Sequence, residues 1–380
     1  MGINSTYVRG NNANSGGCPT DGDSVLHALT AAYERGWQPA DIVHMTRRSL
    51  GAAEVRLAVW AIMYEARLSK AVERAPRSWL SHLRAIREQH TDPGHFASTA
   101  LQRKAVAQLW RELPPLPAEA PPPSKWAEYR ADTAADPSPV GPADAKVLGR
   151  IRGLLAKAES TDFVEEAEIF TAKAQELMTK YAINAALLDA RTNTSTEIVS
   201  RRIHVENPYI KQKVQLLNQI SDANRVRTVW IEEVGMATAV GAPIDVGQVE
   251  MLFTSLLIQA TRALRDAGAD AADASSARAF RRAFLYGFAV RIGERLRQAG
   301  ERATAAAAQE SSFTVAEVLP VLASRSEAVE AEVTRLFPST RLVRSRGSFD
   351  ANGVRAGRAA ADRANLRRHD GTDDRRLEAG

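Results

Sequence analysis

The chain of 380 residues has a single cysteine, Cys18, which excludes an internal disulfide and every multi-cysteine zinc module. Long hydrophobic runs are missing too. No window approaches the roughly 18 continuous apolar residues of a spanning helix, so no membrane partner is expected. The opening MGINSTYVRGNNANSGG has no apolar h-region, which argues against a secretory signal and makes the cytoplasm the expected location. Nothing matches G-x-x-x-x-G-K-[ST], H-E-x-x-H or G-x-S-x-G, so a phosphate loop, a zincin helix and a nucleophile elbow are all excluded. Lysine is scarce throughout, and most of the positive charge is arginine.

What is present reads as several modules, since 380 residues exceed one ordinary core. Residues 1–22 form a Gly/Asn/Ser-rich tail, expected to be disordered. Residues 23–112 read as a helical N-terminal domain. GDSVLHALTAAYERGW places Val25, Leu26, Leu29, Ala32 and Tyr33 at helical spacing, and Gly36 ends that helix. Pro39 opens a second helix, PADIVHMTRRSLG, and AAEVRLAVWAIMYEARLSKAV follows at once. In outline this resembles a helix-turn-helix in which Arg47 and Arg48 touch phosphate, although a three-helix bundle used only for packing accounts for the same residues. Between Pro114 and Pro142 lie nine of the 17 prolines, a composition that favours extended backbone, and residues 113–143 read as a linker.

Residues 144–189 read as a helical hairpin. Val147, Leu148, Ile151, Leu154, Leu155 and Ala158 step along one helix face, and Ala167, Phe170, Ala174, Leu177, Met178 and Tyr181 along another. Asp162 and Glu165 have capping-box spacing at the second helix. Helices this short are marginal alone, so the hairpin needs a partner surface. Residues 190–342 alternate helical patterns with EIVSRRIHV and RVRTVWIEEVG, followed by MATAVGAP, which have the period of strands. The expected architecture is mostly α with a small α+β domain: a helical N-terminal bundle, a helical hairpin, and a short antiparallel sheet packed by helices. Residues 343–380 are a basic C-terminal segment and tail.

The hairpin residues Leu154–Glu159, Glu166-Ala167 and Lys173–Met178 resemble the bacterial and phage family known as domain of unknown function 2786. Gly36-Trp37-Gln38-Pro39-Ala40-Asp41, Phe284-Leu285-Tyr286-Gly287-Phe288, Phe337-Pro338 and Gly353-Val354-Arg355-Ala356-Gly357-Arg358 look like longer members of that group. The resemblance implies the domain layout and carries over no catalytic residue, since the family's name records no assigned activity.

Charge is the most informative feature. Seven arginines between Arg278 and Arg302 oppose Glu294 and Glu301, for +5; nine between Arg335 and Arg368 oppose Asp350 and Asp362, for +7. With the whole chain at +5, everything else sums to −7. A basic C-terminal third therefore sits on an otherwise acidic protein, and the guanidinium fork suits phosphate. The candidate nucleic-acid contacts are Arg281, Arg282, Arg344, Arg346, Arg355 and Arg358, with DNA or RNA as the expected partner. A solvated basic surface explains the same composition.

Three functional readings follow. The first is a non-catalytic, nucleic-acid-associated protein. The second is a protein-interaction adaptor docking a partner on the hairpin, with Glu166 and Lys173 on the contact face. The third is an enzyme whose site draws on Asp245, Glu250 and arginines of the α+β domain. No catalytic residue, cofactor or metal is expected. The nearest metal candidate, His90 and His95 flanking Asp92, is better explained as an exposed polar turn.

Overall fold

The computed structural model describes residues 21–90, 98–127, 142–160, 170, 173–182, 197–267, 274–310, 315–339 and 350–363. They are mostly helical, with one small antiparallel sheet, in two compact units, 1–134 and 135–380. No helix among the described residues is long and apolar enough to cross a membrane.

The first unit contains α1 (Asp21–Glu34), α2 (Pro39–Ser49), α3 (Ala52–Leu68), the single turn α4 (Ala71–Arg74), α5 (Arg77–Gln89) and α6 (Ala100–Glu112). The Gly36–Asp41 segment is a helix stop followed by a helix start. Gly36 takes φ +92°, in the left-handed region, and a Cβ there would strike the Leu116 carbonyl. Pro39 begins α2, and the Gln38 amide donates to the Asp41 carboxylate at 3.0 Å, closing the first turn. Tyr33 and four tryptophans, Trp37, Trp79, Trp110 and Trp126, form the largest fully buried side chains of this core. Tyr33 meets Trp79 edge-on at 4.8 Å, and Trp79 meets Trp126 edge-on at 5.4 Å.

The proline-rich stretch departs from expectation. Residues 113–127 pack onto this unit instead of acting as a spacer. Leu113, Leu116 and Trp126 are buried. The Trp37 indole donates to the Pro114 carbonyl at 2.7 Å, the Trp126 indole to the Pro121 carbonyl at 2.9 Å, and the Leu116 amide to the Arg35 carbonyl at 2.9 Å. Prolines lack an N–H but keep a carbonyl, and an extended run leaves those acceptors unpaired. Two buried indoles take up two of them. The remainder of the expected linker, 128–141, lies outside the described residues.

The second unit contains α7 (Pro142–Ser160), α8 (173–182), β1 (Val199–His204), α9 (Ile210–Ala223), β2 (Arg227–Ile231), β3 (Met236–Gly241), α10 (Pro243–Asp266), α11 (Ala274–Glu310), α12 (Val315–Leu336) and α13 (Ala351–Arg363). The sheet order is β1-β3-β2, both pairings antiparallel. β3 is buried along its whole length, as a central strand covered on both faces must be. Its odd-numbered Ala237 and Ala239 join the main core with α9, α10 and α11, whereas Val240 joins Val229, Val329 and Val333 beneath α12.

Candidate nucleic-acid interface

Helices α7 and α8 are built into the second unit's core. Ile151 and Leu155 of α7, and Ala174 and Met178 of α8, lie in one apolar cluster with Leu217, Val249 and Phe288. The partner surface that these short helices require is therefore in the same unit. On α8, Gln175 is fully buried and its amide nitrogen reaches the Asn224 Oδ1 at 3.4 Å. At its end, Arg325 of α12 donates to the Ala182 carbonyl at 3.3 Å. Lys173 is exposed and pairs with Glu176 at 3.0 Å, while Glu166, Asp162 and Glu165 lie outside the described residues.

The arginines divide by fate. α13 runs alongside α11 in the same direction: a Cβ on Gly353 would meet the Phe280 carbonyl and the Ala283 methyl, and one on Gly357 would overlap the Phe284 carbonyl. The four-residue spacing of Gly353 and Gly357 thus has a packing cause, close backbone approach. Farther along this seam Arg358 forks onto Glu294, at 3.0 and 2.9 Å, and Arg291 bridges Glu294 at 2.9 Å and Asp362 at 2.6 Å. The Arg358 hydrogen bonds, followed by those of Arg291, hold the Glu294 carboxyl below its ordinary range. Two guanidiniums and two carboxylates cancel. Buried Arg295 donates to the Ala361 and Asp362 carbonyls, capping α13 where its last carbonyls lack helical partners. Arg335 forks onto Glu332 one turn earlier in α12.

Arg281 and Arg282 differ from these. Both are exposed and neither has a carboxylate partner among the described residues. Arg355 is also exposed; it donates to the neutral Asn352 Oδ1 at 2.5 Å and has no carboxylate partner among the described residues. Because Gly353 sits against Phe280 and Ala283, Arg355 lies at the level of the α11 turns that carry Arg281 and Arg282. The structure thus brings three of the six expected contacts to one end of the helix pair. Arg358 is bound inside the seam, and Arg344 and Arg346 lie outside the described residues. A sequence signal for Arg358 existed: it follows Gly357 directly, so on a helix it must flank the glycine face that packs.

The remaining polar candidates are held by structural pairs. Asp245 is buried on α10 with Arg225 at 3.7 Å; burial raises its carboxyl, and the charges of Arg225 and Arg325 oppose the rise. Arg225 takes a left-handed backbone, φ +59°. Glu250 pairs separately with Arg201 at 2.8 Å. These contacts tie α10, β1 and the lead into β2 together. His90 stands 3.4 Å from the Arg47 guanidinium, and burial, then that positive charge, lowers its pKa. A cation beside it disfavours a metal; His95 and Asp92 lie outside the described residues, among which no group of three or more metal-ligating side chains occurs.

Helices α7 and α8 pack into the core of the second unit, which also holds the three-stranded sheet. Residues 146–185 match the family described as protein of unknown function (DUF2786). The match includes the hairpin and none of the other resembling segments, at 36–41, 284–288, 337–338 and 353–358. No curated protein and no solved structure matches the chain.

Proposed function

We propose that the protein binds nucleic acid without catalysis, through phosphate contacts from Arg281, Arg282 and Arg355. The observation that supports this reading is the unequal fate of the arginines. Arg291, Arg295, Arg335 and Arg358 meet carboxylates or carbonyls, whereas Arg281, Arg282 and Arg355 are exposed at one end of the α11–α13 pair with no carboxylate partner among the described residues. Three such forks suit a repeating phosphate backbone and carry no base information. The hairpin contributes scaffold, because its apolar side is already covered within its own unit.

The test is titration of the full chain with duplex DNA and RNA across a salt series. The logarithm of the affinity should fall linearly with the logarithm of salt, by about 0.9 per phosphate neutralised on B-DNA. The double variant Arg281→Glu/Arg282→Glu should weaken binding and flatten that slope by about two. A slope near zero, or an unchanged slope in the variant, removes this reading.

A further inference from the structure

Buried polar atoms in folded proteins are nearly always paired, so a group of them without partners calls for an explanation. The second unit holds such a group. Gln248 of α10 is fully buried, and neither its Nε2 nor its Oε1 has a hydrogen-bond partner. Asp245, one helical turn earlier on the same face, is buried as well. Its Oδ1 stands 3.7 Å from the Arg225 guanidinium, an ion pair too long to be a hydrogen bond. Neither that oxygen nor the Arg225 Nε has a hydrogen-bond partner. Asn224, beside Arg225, meets the amide nitrogen of Gln175 on α8, and the Gln175 Oε1 is again unpartnered. Arg325 of α12 acts on Asp245 through its charge and donates to the Ala182 carbonyl at the end of α8.

Helix α8, the α9–β2 link, α10 and α12 thus converge on one polar site beside the apolar core. The Arg225 side chain is 21% exposed, so the site meets solvent on that side. Its unpartnered atoms have a definite composition. The Asp245 Oδ1, Gln248 Oε1 and Gln175 Oε1 are acceptors, and the Arg225 Nε and Gln248 Nε2 are donors. An inorganic anion would leave the acceptors unmet. A metal cation would leave the donors unmet and would sit against the charges of Arg225 and Arg325. An ammonium group carries three N–H donors, and a carboxylate offers two acceptor oxygens. A molecule with both on one carbon meets the whole set, and its charges oppose those of Asp245 and Arg225. Water can fill the same bonds one at a time, but it brings neither charge.

We infer that this site binds a free α-amino acid of the standard set, its ammonium held by Asp245, Gln248 and Gln175 and its carboxylate by Arg225 and the Gln248 amide. The site shares no residue with the nucleic-acid surface on α11 and α13. It gives Gln175, inside the 146–185 family match, a role besides packing.

The experiment offers the full chain each standard amino acid in turn, read by titration calorimetry and thermal melting. At least one should bind in equimolar ratio, and at about one hundred times its dissociation constant it should lower the unfolded fraction about a hundredfold. The corresponding amine, which lacks the carboxylate, and the N-acetyl derivative, which lacks the ammonium, should each bind about tenfold more weakly or worse. Gln248→Met keeps the volume and removes both unpartnered atoms, so it should fold at least as stably and weaken binding about tenfold. Asp245→Asn, which keeps the shape and removes the charge, should weaken binding similarly. Arg281→Glu/Arg282→Glu should bind the amino acid as the unaltered chain does. If no standard amino acid binds, the site falls, and a stabilised Gln248→Met then assigns its polar atoms to buried water. Equal binding of the amine or the N-acetyl derivative also overturns it, as does unchanged affinity in Gln248→Met. Failure of the salt-series titration with amino-acid binding intact removes only the proposed function.

Discussion

Glu65 is a carboxylate placed where α3 is otherwise apolar; it is 5% exposed, and its Oε2 has no hydrogen-bond partner. Burial pushes its pKa up from 4.5 to about 7, and a hydrogen bond with Ser69 only partly offsets the rise. A raised carboxyl pKa means that between about pH 4.5 and 7 the folded chain holds a proton the unfolded chain has released. Stability therefore falls as pH rises through that window and stays low above it. Glu65→Gln should be near neutral at pH 5 and stabilising by about 1–3 kcal/mol at pH 8, measured by urea denaturation at both values. An equal effect at the two pH values would place the carboxyl in water. At this scale the sequence was least legible. Periodicity marks Glu65 as one position of a helix but cannot price its burial, and composition gives Arg281 and Arg358 equal weight. The structure separates them by one neighbour, Glu294, which meets Arg358 and lies far along the helix from Arg281.

Among elements, helical glycines serve opposite purposes. A Cβ on Gly357 would overlap the Phe284 carbonyl and come within 2.9 Å of the Phe288 amide, so α13 approaches α11 only because that atom is missing. Gly149, inside α7, has nothing within 4 Å of its would-be Cβ. Gly357→Ala should destabilise by about 1–3 kcal/mol through overpacking, and Gly149→Ala should stabilise by up to about 1 kcal/mol through helix propensity. Chemical denaturation of the two variants checks both signs. Element patterns were also where the sequence was most legible. Each strand lies within the segment whose alternation marks it, and the Ile151/Leu155 and Ala174/Met178 stripes face the core. One miss has a local cause. Lys70 takes φ +54° and breaks the expected third helix into α3 and α4, and no glycine or proline announces the break.

At the scale of the whole molecule, the charge asymmetry and the mostly helical architecture were visible in the chain, and the fate of the proline-rich stretch was not. Nine prolines suggest a spacer because they remove backbone donors. They also leave acceptors, and whether a buried indole lies within reach is a tertiary fact. Trp37 and Trp126 supply those donors to Pro114 and Pro121. The boundary between units accordingly falls at 134, not at 112, where α6 ends. This gives a direct prediction about autonomy. A polypeptide of residues 1–134 keeps all four buried tryptophans and the carbonyls that receive two of them, so it should unfold cooperatively with intact near-ultraviolet dichroism. A polypeptide of residues 1–112 loses Leu113, Leu116 and Trp126, and it leaves the Trp37 indole without its acceptor. Removal of one buried tryptophan side chain costs about 3–5 kcal/mol, comparable with the whole stability of a small domain. The shorter polypeptide should lose its cooperative transition and its near-ultraviolet signal. If both polypeptides melt alike, the first half of the proline stretch is only a tether, and its buried side chains contribute nothing to the fold.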